Sequence, residues 1–273
     1  MSAHELDHLA IAVPSWAPAG EALNRELGAR WASGFRMEAF NPCQLAVADD
    51  MRLELLEPGS GEHSFIQRFL SENDGQAAPH HITFKVHDIR AAIAGAQRAG
   101  IEPILVNLEH PQWQEAFLHP RDTGLGFLAQ MVQAPQSVEE ITGTDDGGGL
   151  ACPWEQNGSA PLRIPLIYGN VAHLSQAGAV LRDVLGAREY STGMGTTTAR
   201  FHWDEGADLL LSEVGHSSGN SGIQGILALP ADAGGSPRDV PERLPAVLAA
   251  GGDHPEIGLR ISVLQHTPAG AGS

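Results

Sequence analysis

The stretch PHHITFKVHDI, residues 79–89, alternates Ile82, Phe84 and Val86 with Thr83, Lys85 and His87, a period of two that predicts a β-strand with one buried face. DHLAIAV, residues 7–13, superposes on it with His8 against His81. Each strand is followed by helical spacing that stops at glycine: Ala19, Leu23 and Leu27 before Gly28, then Ile89, Ile93 and Ala96 before Gly100. Three strand-like segments come next in each case. They are RWASGFRME, CQLAVA and MRLELLEP in the first, EPILVNL, WQEAFLHP and LGFLAQMV in the second, separated by turn signals such as Asn41-Pro42 and Asp49-Asp50. The repeating unit is βαβββ, and residues 5–135 hold two copies of it.

A third copy begins beyond residue 161. IPLIYGNVAHLSQAGAVLRDVLGAREY repeats strand and helix, and its LGAR at 185–188 matches LGAR at 27–30 letter for letter. TARFHW and DLLLSEV supply later strands, and the chain from Gly222 reads as a shorter, degenerate fourth copy with a frayed tail after Gln265. The segment 141–161, rich in Gly, Asp and Ser and without periodicity, reads as a linker or exposed crossing loop. The expected organisation is α+β, with two two-module domains: 1–137, a linker 138–161, and 162–266.

Composition narrows the function classes. A formal charge of −17 over 273 residues argues against nucleic acid or a membrane surface as partner. No run approaches the roughly 18 apolar residues that cross a bilayer. Cys43 and Cys152 are too few for a disulfide framework, and the first residues lack the basic flank and apolar core of a secretory signal, so the cytoplasm is the expected compartment. A small molecule is the expected partner, with a homodimer possible.

Equivalent strand positions in repeated modules can converge on one point. His8 and His81 form such a pair, and the last strand of each module offers Glu54, in RLELLEP, and Gln130, in GFLAQMV, each polar between apolar neighbours. Burying Glu54 without a partner costs several kcal/mol, and a cation is the simplest partner. Two imidazoles, a carboxylate and an amide oxygen suit a divalent Zn, Co, Ni, Mn or Fe ion.

DHLAIAV, LELLEP followed by FIQRFL, HHITFKVHDI and AFLHPRDTGLGFLAQMV together resemble the vicinal oxygen chelate superfamily, and within it methylmalonyl-CoA epimerases and their glyoxalase I relatives. The resemblance covers nearly all of 5–135. It implies two βαβββ modules forming a metal-binding cup, with His8, Glu54, His81 and Gln130 as ligands and an isomerase or lyase that stabilises an enolate of an α-carbonyl acid or acyl-CoA. Relatives of this kind carry glutamate where this chain has Gln130, and that glutamate doubles as the base. With Glu54 as the only anionic ligand, a divalent ion keeps net charge +1 and is the stronger Lewis acid. Glu38 then becomes the first candidate base.

His80, Trp113, His119 and Arg121 are expected to line the substrate pocket; His63 and Arg68 are further candidates, and Glu57 and His119 can also simply close turns beside proline. The third and fourth copies lack the ligands: Leu166 stands for His8, and Leu210 or Ser212 for Glu54. His173, His202 and His216 have no ligand register. Two other readings compete with the isomerase: an Fe(II) dioxygenase of the same superfamily, and a non-catalytic protein that sequesters a small molecule in the cup.

Overall fold

The structure, a computed structural model, describes residues 3–48, 51–62, 64–134, 150–158, 160–191, 197–214, 221–231 and 244–264. The first module runs β1 (Ala3–Ala12), α1 (Trp16–Leu27), β2 (Arg30–Gly34), β3 (Phe40–Val47) and β4 (Met51–Pro58). After α2 (Phe65–Glu72) the second follows as β5 (Ala78–Val86), α3 (Ile89–Arg98), β6 (Ile104–Asn107), β7 (Gln114–Leu118) and β8 (Leu128–Gln133). Their strands form one sheet in the order β2-β3-β4-β1-β5-β8-β7-β6. In each module the first strand lies parallel to the last, and the two first strands meet antiparallel in the middle.

The later chain repeats the plan. Strands β9 (Leu162–Val171), β10 (Arg188–Ser191), β11 (Thr198–His202), β13 (Asp208–Glu213), β14 (Gly222–Pro230), β15 (Gly252–His254) and β16 (Leu259–Val263) order as β10-β11-β13-β9-β14-β16-β15. The α+β architecture of two cups expected from the repeats is what the chain adopts. Among the described residues no helix is long and apolar enough to cross a membrane.

Strand alternation divides each sheet into two faces. Leu9 and Ile11 of β1, Leu53 and Leu55 of β4, Ile82 and Phe84 of β5, and Ala129 and Met131 of β8 point to the helix-covered face and are fully buried there with Leu23 and Leu27 of α1. The same core continues through Trp203, Leu209 and Ile226, so the two halves share it. Helix α1 starts without a cap from Ser15; instead Glu57 Oε2 of β4 accepts from the Trp16 amide at 3.0 Å. That gives Glu57 a structural role, holding the helix against its own sheet.

Two features were not expected. The chain at 150–158 is largely exposed but anchored at one point: Trp154 is buried with its ring 5.3 Å from that of Trp31, and Gln156 Oε1 accepts from the Trp31 amide at 2.8 Å. Residues 138–149 and the tail beyond 264 lie outside the described residues. The second feature is β12 (Glu205–Gly206), which leaves its own half and pairs in parallel with β1, Glu5 against Glu205 and Leu6 against Gly206. Beside it Trp203 packs on Phe84 at 5.0 Å and donates to the Leu185 carbonyl at 2.7 Å.

Gly206 sits at φ +85 with Leu6 O only 1.9 Å from where a Cβ would stand. Gly100 has a similar φ of +80 but open space around it. We expect Gly206→Ala to cost about 2 to 3 kcal/mol and Gly100→Ala about 1 kcal/mol in denaturant unfolding. Equal losses would show that the approach of β12 to β1 contributes nothing beyond backbone strain.

Candidate metal centre

The face of the first sheet away from α1 and α3 carries the polar residues, and strand register decides which of them meet. Ala10 of β1 lies between Glu54 of β4 and His81 of β5, while His8 lies between Arg52 and Thr83, with Gln130 next to Thr83 on β8. A small residue at position 10 leaves Glu54 and His81 room to reach each other across it. Glu54 Oε2 is 3.5 Å from His8 Nε2 and 3.7 Å from His81 Nε2. The ligand atoms of His8, Glu54 and His81 all lie within 4.8 Å of one another.

Each of these side chains is aimed by a neighbour. His8 Nδ1 donates to Asp7 Oδ2 at 2.6 Å, and Asp7 is in turn held by Lys85 Nζ at 2.6 Å, so Nε2 is the nitrogen turned to the centre. Asp7 and His8 are consecutive, and an ideal strand would send them to opposite faces. The register shift between Leu6 and His8 against β5 relieves that constraint. His81 Nδ1 meets His80 Nδ1 at 2.9 Å, which turns its Nε2 inward, buried and without a hydrogen-bond partner among the described residues. Glu54 Oε1 accepts from Gln44 Nε2 at 2.9 Å and leaves Oε2 for the histidines.

Gln130 joins the set through hydrogen bonds. Its Oε1 accepts from Thr83 Oγ1 at 2.5 Å, and Thr83 Oγ1 lies 2.9 Å from His8 Nε2. Its Nε2 donates to Glu115 Oε2 at 2.6 Å, and Trp113 Nε1 donates to the same oxygen at 2.9 Å.

The electrostatics favour a cation. Burial by itself would strip the proton from His8, but contacts with Asp7 and Glu54 outweigh it and hold the imidazole up at about 9. Burial also disfavours the charge on Asp7, yet His8 and Lys85 keep that carboxyl well below its usual range. Burial, with His80 and His8 nearby, drives His81 well below the usual imidazole range. One imidazole thus sits where positive charge is favoured, and the other is kept neutral. The inward Nε2 of His81, a carboxylate oxygen facing both rings and a paired amide form a donor set that fits a divalent ion.

The other sequence candidates divide. His80 is near, because the register shift between Ala10 and Ile11 turns it to the same face as His81. There its ring packs against Phe69 at 4.8 Å, and burial pushes it down to about 4. Trp113 reaches the network through Glu115. His119 Nδ1 accepts from the Arg121 amide at 3.1 Å and caps the turn Pro120–Thr123, while the Arg121 side chain is exposed. Glu38 is not on a strand: it is exposed in the loop between β2 and β3, outside the hydrogen-bonded set. Arg68 is exposed on α2, and His63 lies outside the described residues. Sequence reading assigned no role to Asp7, Gln44, Thr83 or Glu115. Their position on the polar face was the available signal for Gln44, Thr83 and Glu115; Asp7 depends on the bulge and left none.

In the second sheet the register β13-β9-β14 places Tyr168 between Leu210 and Gly225, and Leu166 beside Leu227. Aligning Leu166 with His8 makes Leu210 the counterpart of Glu54, Gly225 of His81 and Ser262 of Gln130. Tyr168, at the place of Ala10, lies over Gly225, where a Cβ would stand 2.4 Å from its hydroxyl. Leu166, Leu210, Leu227 and Leu244 form a buried cluster on this face. His202 is engaged by Asp208 at 2.7 Å, and His216 lies outside the described residues.

Residues 7–117 match the family described as the glyoxalase/bleomycin resistance protein/dioxygenase superfamily. Among solved structures, methylmalonyl-CoA epimerase from Mycobacterium tuberculosis is 23% identical over 50% of this chain and 94% of its own, with a TM-score of 0.43. A Streptomyces coelicolor methylmalonyl-CoA epimerase variant in complex with 2-nitronate-propionyl-CoA is 24% identical over 50% of this chain and all 100% of its own, with a TM-score of 0.43. A mutant of 4-hydroxymandelate synthase from Streptomyces coelicolor spans both halves: 84% of this chain and 71% of its own at 13% identity, with a TM-score of 0.59. That last likeness is one of fold. No curated protein matches the sequence.

If Asp7 orients His8, Asp7→Asn should weaken divalent-metal affinity by about 10- to 100-fold while the chain stays folded. Isothermal titration with Zn and Co reads this directly, and an unchanged Kd would remove Asp7 from the site.

Proposed function

We propose, from the match of residues 7–117 to the glyoxalase/bleomycin resistance protein/dioxygenase superfamily, that this chain is a metal-dependent enzyme that stabilises the enolate of an α-carbonyl acid or acyl-CoA through two neighbouring oxygens. The observation that carries this reading is the buried, unpartnered His81 Nε2 facing the Glu54 oxygen that also faces His8. His8, Glu54 and His81 would hold the ion, with the Gln130 amide oxygen as a fourth donor. When bound, a divalent ion supplies Lewis-acid stabilisation of negative charge on a substrate oxygen.

The chain's own residues do the rest. Asp7 and His80 fix the ring orientations of the two histidines, so the nitrogens that face the centre are set before substrate arrives. Phe117, 5.8 Å from the His81 ring, and Phe69 beside His80 give the centre apolar walls that exclude water and strengthen every charge interaction inside. Thr83, between His8 and Gln130, ties the two modules' ligands into one unit.

A second reading is favoured by the donor set itself. Two histidines and one carboxylate suit Fe(II) for dioxygen chemistry, with open positions for substrate and oxygen.

The test is metal content of the wild type beside His8→Ala and His81→Ala, followed by NMR of deuterium incorporation at the α-carbon of acyl-CoA thioesters and α-keto acids in D2O. We expect stoichiometric metal in the wild type, loss in both variants, and α-deuteration by the wild type alone. Oxygen uptake by the Fe(II) form without α-deuteration would favour the second reading. A wild type that takes up none of Zn, Co, Ni, Mn or Fe(II) would end both.

A further inference from the structure

The two modules carry the same chemical pair in opposite order. On β3 and β4 an amide, Gln44, supports a carboxylate facing the histidines, Glu54, at 2.9 Å. On β7 and β8 a carboxylate, Glu115, supports an amide in the equivalent place, Gln130, at 2.6 Å. We infer that Glu115 is a positioning residue that holds Gln130 as an oxygen donor to the centre, an inference that rests on the metal reading above.

The reasoning starts from the amide group. Its two ends are nearly the same shape, but only the oxygen has lone pairs for a cation. Thr83 does not choose between the ends, because a hydroxyl can donate to the oxygen or accept from the nitrogen. Glu115 does choose. With Nε2 toward Glu115 the contact is a charge-assisted hydrogen bond, whereas the reversed amide would set its oxygen 2.6 Å from a carboxylate oxygen, acceptor against acceptor. Reversal would also turn the NH2 group toward Thr83 and the histidines.

Glu115 is itself held. Trp113 donates to the same Oε2 at 2.9 Å, and the β7–β8 register sets Glu115 against Val132 and Phe117 against Gln130. A carboxylate at this position therefore restores the second negative charge that glutamine removes from the ligand set, one hydrogen bond further out. The net charge felt at the centre is lower than a count of direct ligands gives.

The test is Co(II) affinity by titration calorimetry together with the visible absorption of the Co(II) form, for wild type, Glu115→Ala, Glu115→Gln, Gln130→Ala and the double variant Glu115→Ala/Gln130→Ala. Circular dichroism checks that each is folded, and the near-isosteric Glu115→Gln stands in if Glu115→Ala is not. We expect Glu115→Ala to weaken binding about 10-fold or more and to shift the Co(II) spectrum as Gln130→Ala does. In the Gln130→Ala background the same change should cost less than about 2-fold, since there is then no amide to orient. Glu115→Gln should fall between wild type and Glu115→Ala. Wild-type affinity in Glu115→Ala would overturn the inference and leave the metal reading standing. The same loss in both backgrounds would also overturn it, making Glu115 a distant charge. A wild type that binds no Co(II) would overturn both.

Discussion

Everything at the polar face depends on the register of β1 between β4 and β5. Ala10 is flanked by Glu54 on one side and His81 on the other, and His8 by Arg52 and Thr83. Strand side chains have a period of two, so a slip of one residue on β1 would carry His8 into the apolar core and bring Leu9 out to the polar face. The fully buried Leu9 and Ile11 of β1 oppose such a slip, each at roughly 1.5 to 3 kcal/mol for burial of the side chain against Leu53, Leu55, Ile82 and Phe84 on the same face. The apolar side of the sheet thus fixes the geometry of the polar side, and neither histidine needs to contribute to stability in order to be placed.

What was legible in the sequence was whatever follows from periodicity. The βαβββ modules, the pairing of His8 with His81 and the prominence of Glu54 and Gln130 all come from alternation repeated at a fixed interval. Tertiary partners were not legible. Asp7 reaches His8 only because a bulge breaks alternation, and Gln44 and Glu115 act through strands whose register no local pattern states. Glu38 was assigned to the strand RWASGFRME, which in fact ends at Gly34, so its side chain falls in solvent in the loop beyond it. The choice between Leu210 and Ser212 likewise needed the pairing of β13 with β9 to decide it. The anchoring of 150–158 was not legible in its composition, although Trp154 within a run rich in Gly, Asp and Ser was the available signal.

The second sheet shows the same scaffold with its polar face converted to packing. In the first sheet the small Ala10 leaves space between Glu54 and His81. Tyr168 at the matching place fills that volume, and Gly225 clears the space its ring needs. Tyr168 Oη, 3.4 Å from Ser262 Oγ, keeps a polar partner within a face otherwise closed by leucines. The scaffold tolerates either filling because the core that fixes it lies on the other side of the sheet.

The pairing of β12 with β1 bears on how such a chain can change over evolutionary time. At Glu5 and Leu6 the first sheet has no strand of its own alongside on the β4 side, and residues 205–206 cover that stretch while Trp203 seals Phe84. The later half has Leu166, Leu210, Gly225 and Ser262 where the first has His8, Glu54, His81 and Gln130. Deletion of the later half would bare both a strand edge and an aromatic core residue within the first. The turn at 203–206 is therefore part of the first half's own packing, although it lies far from that half in sequence.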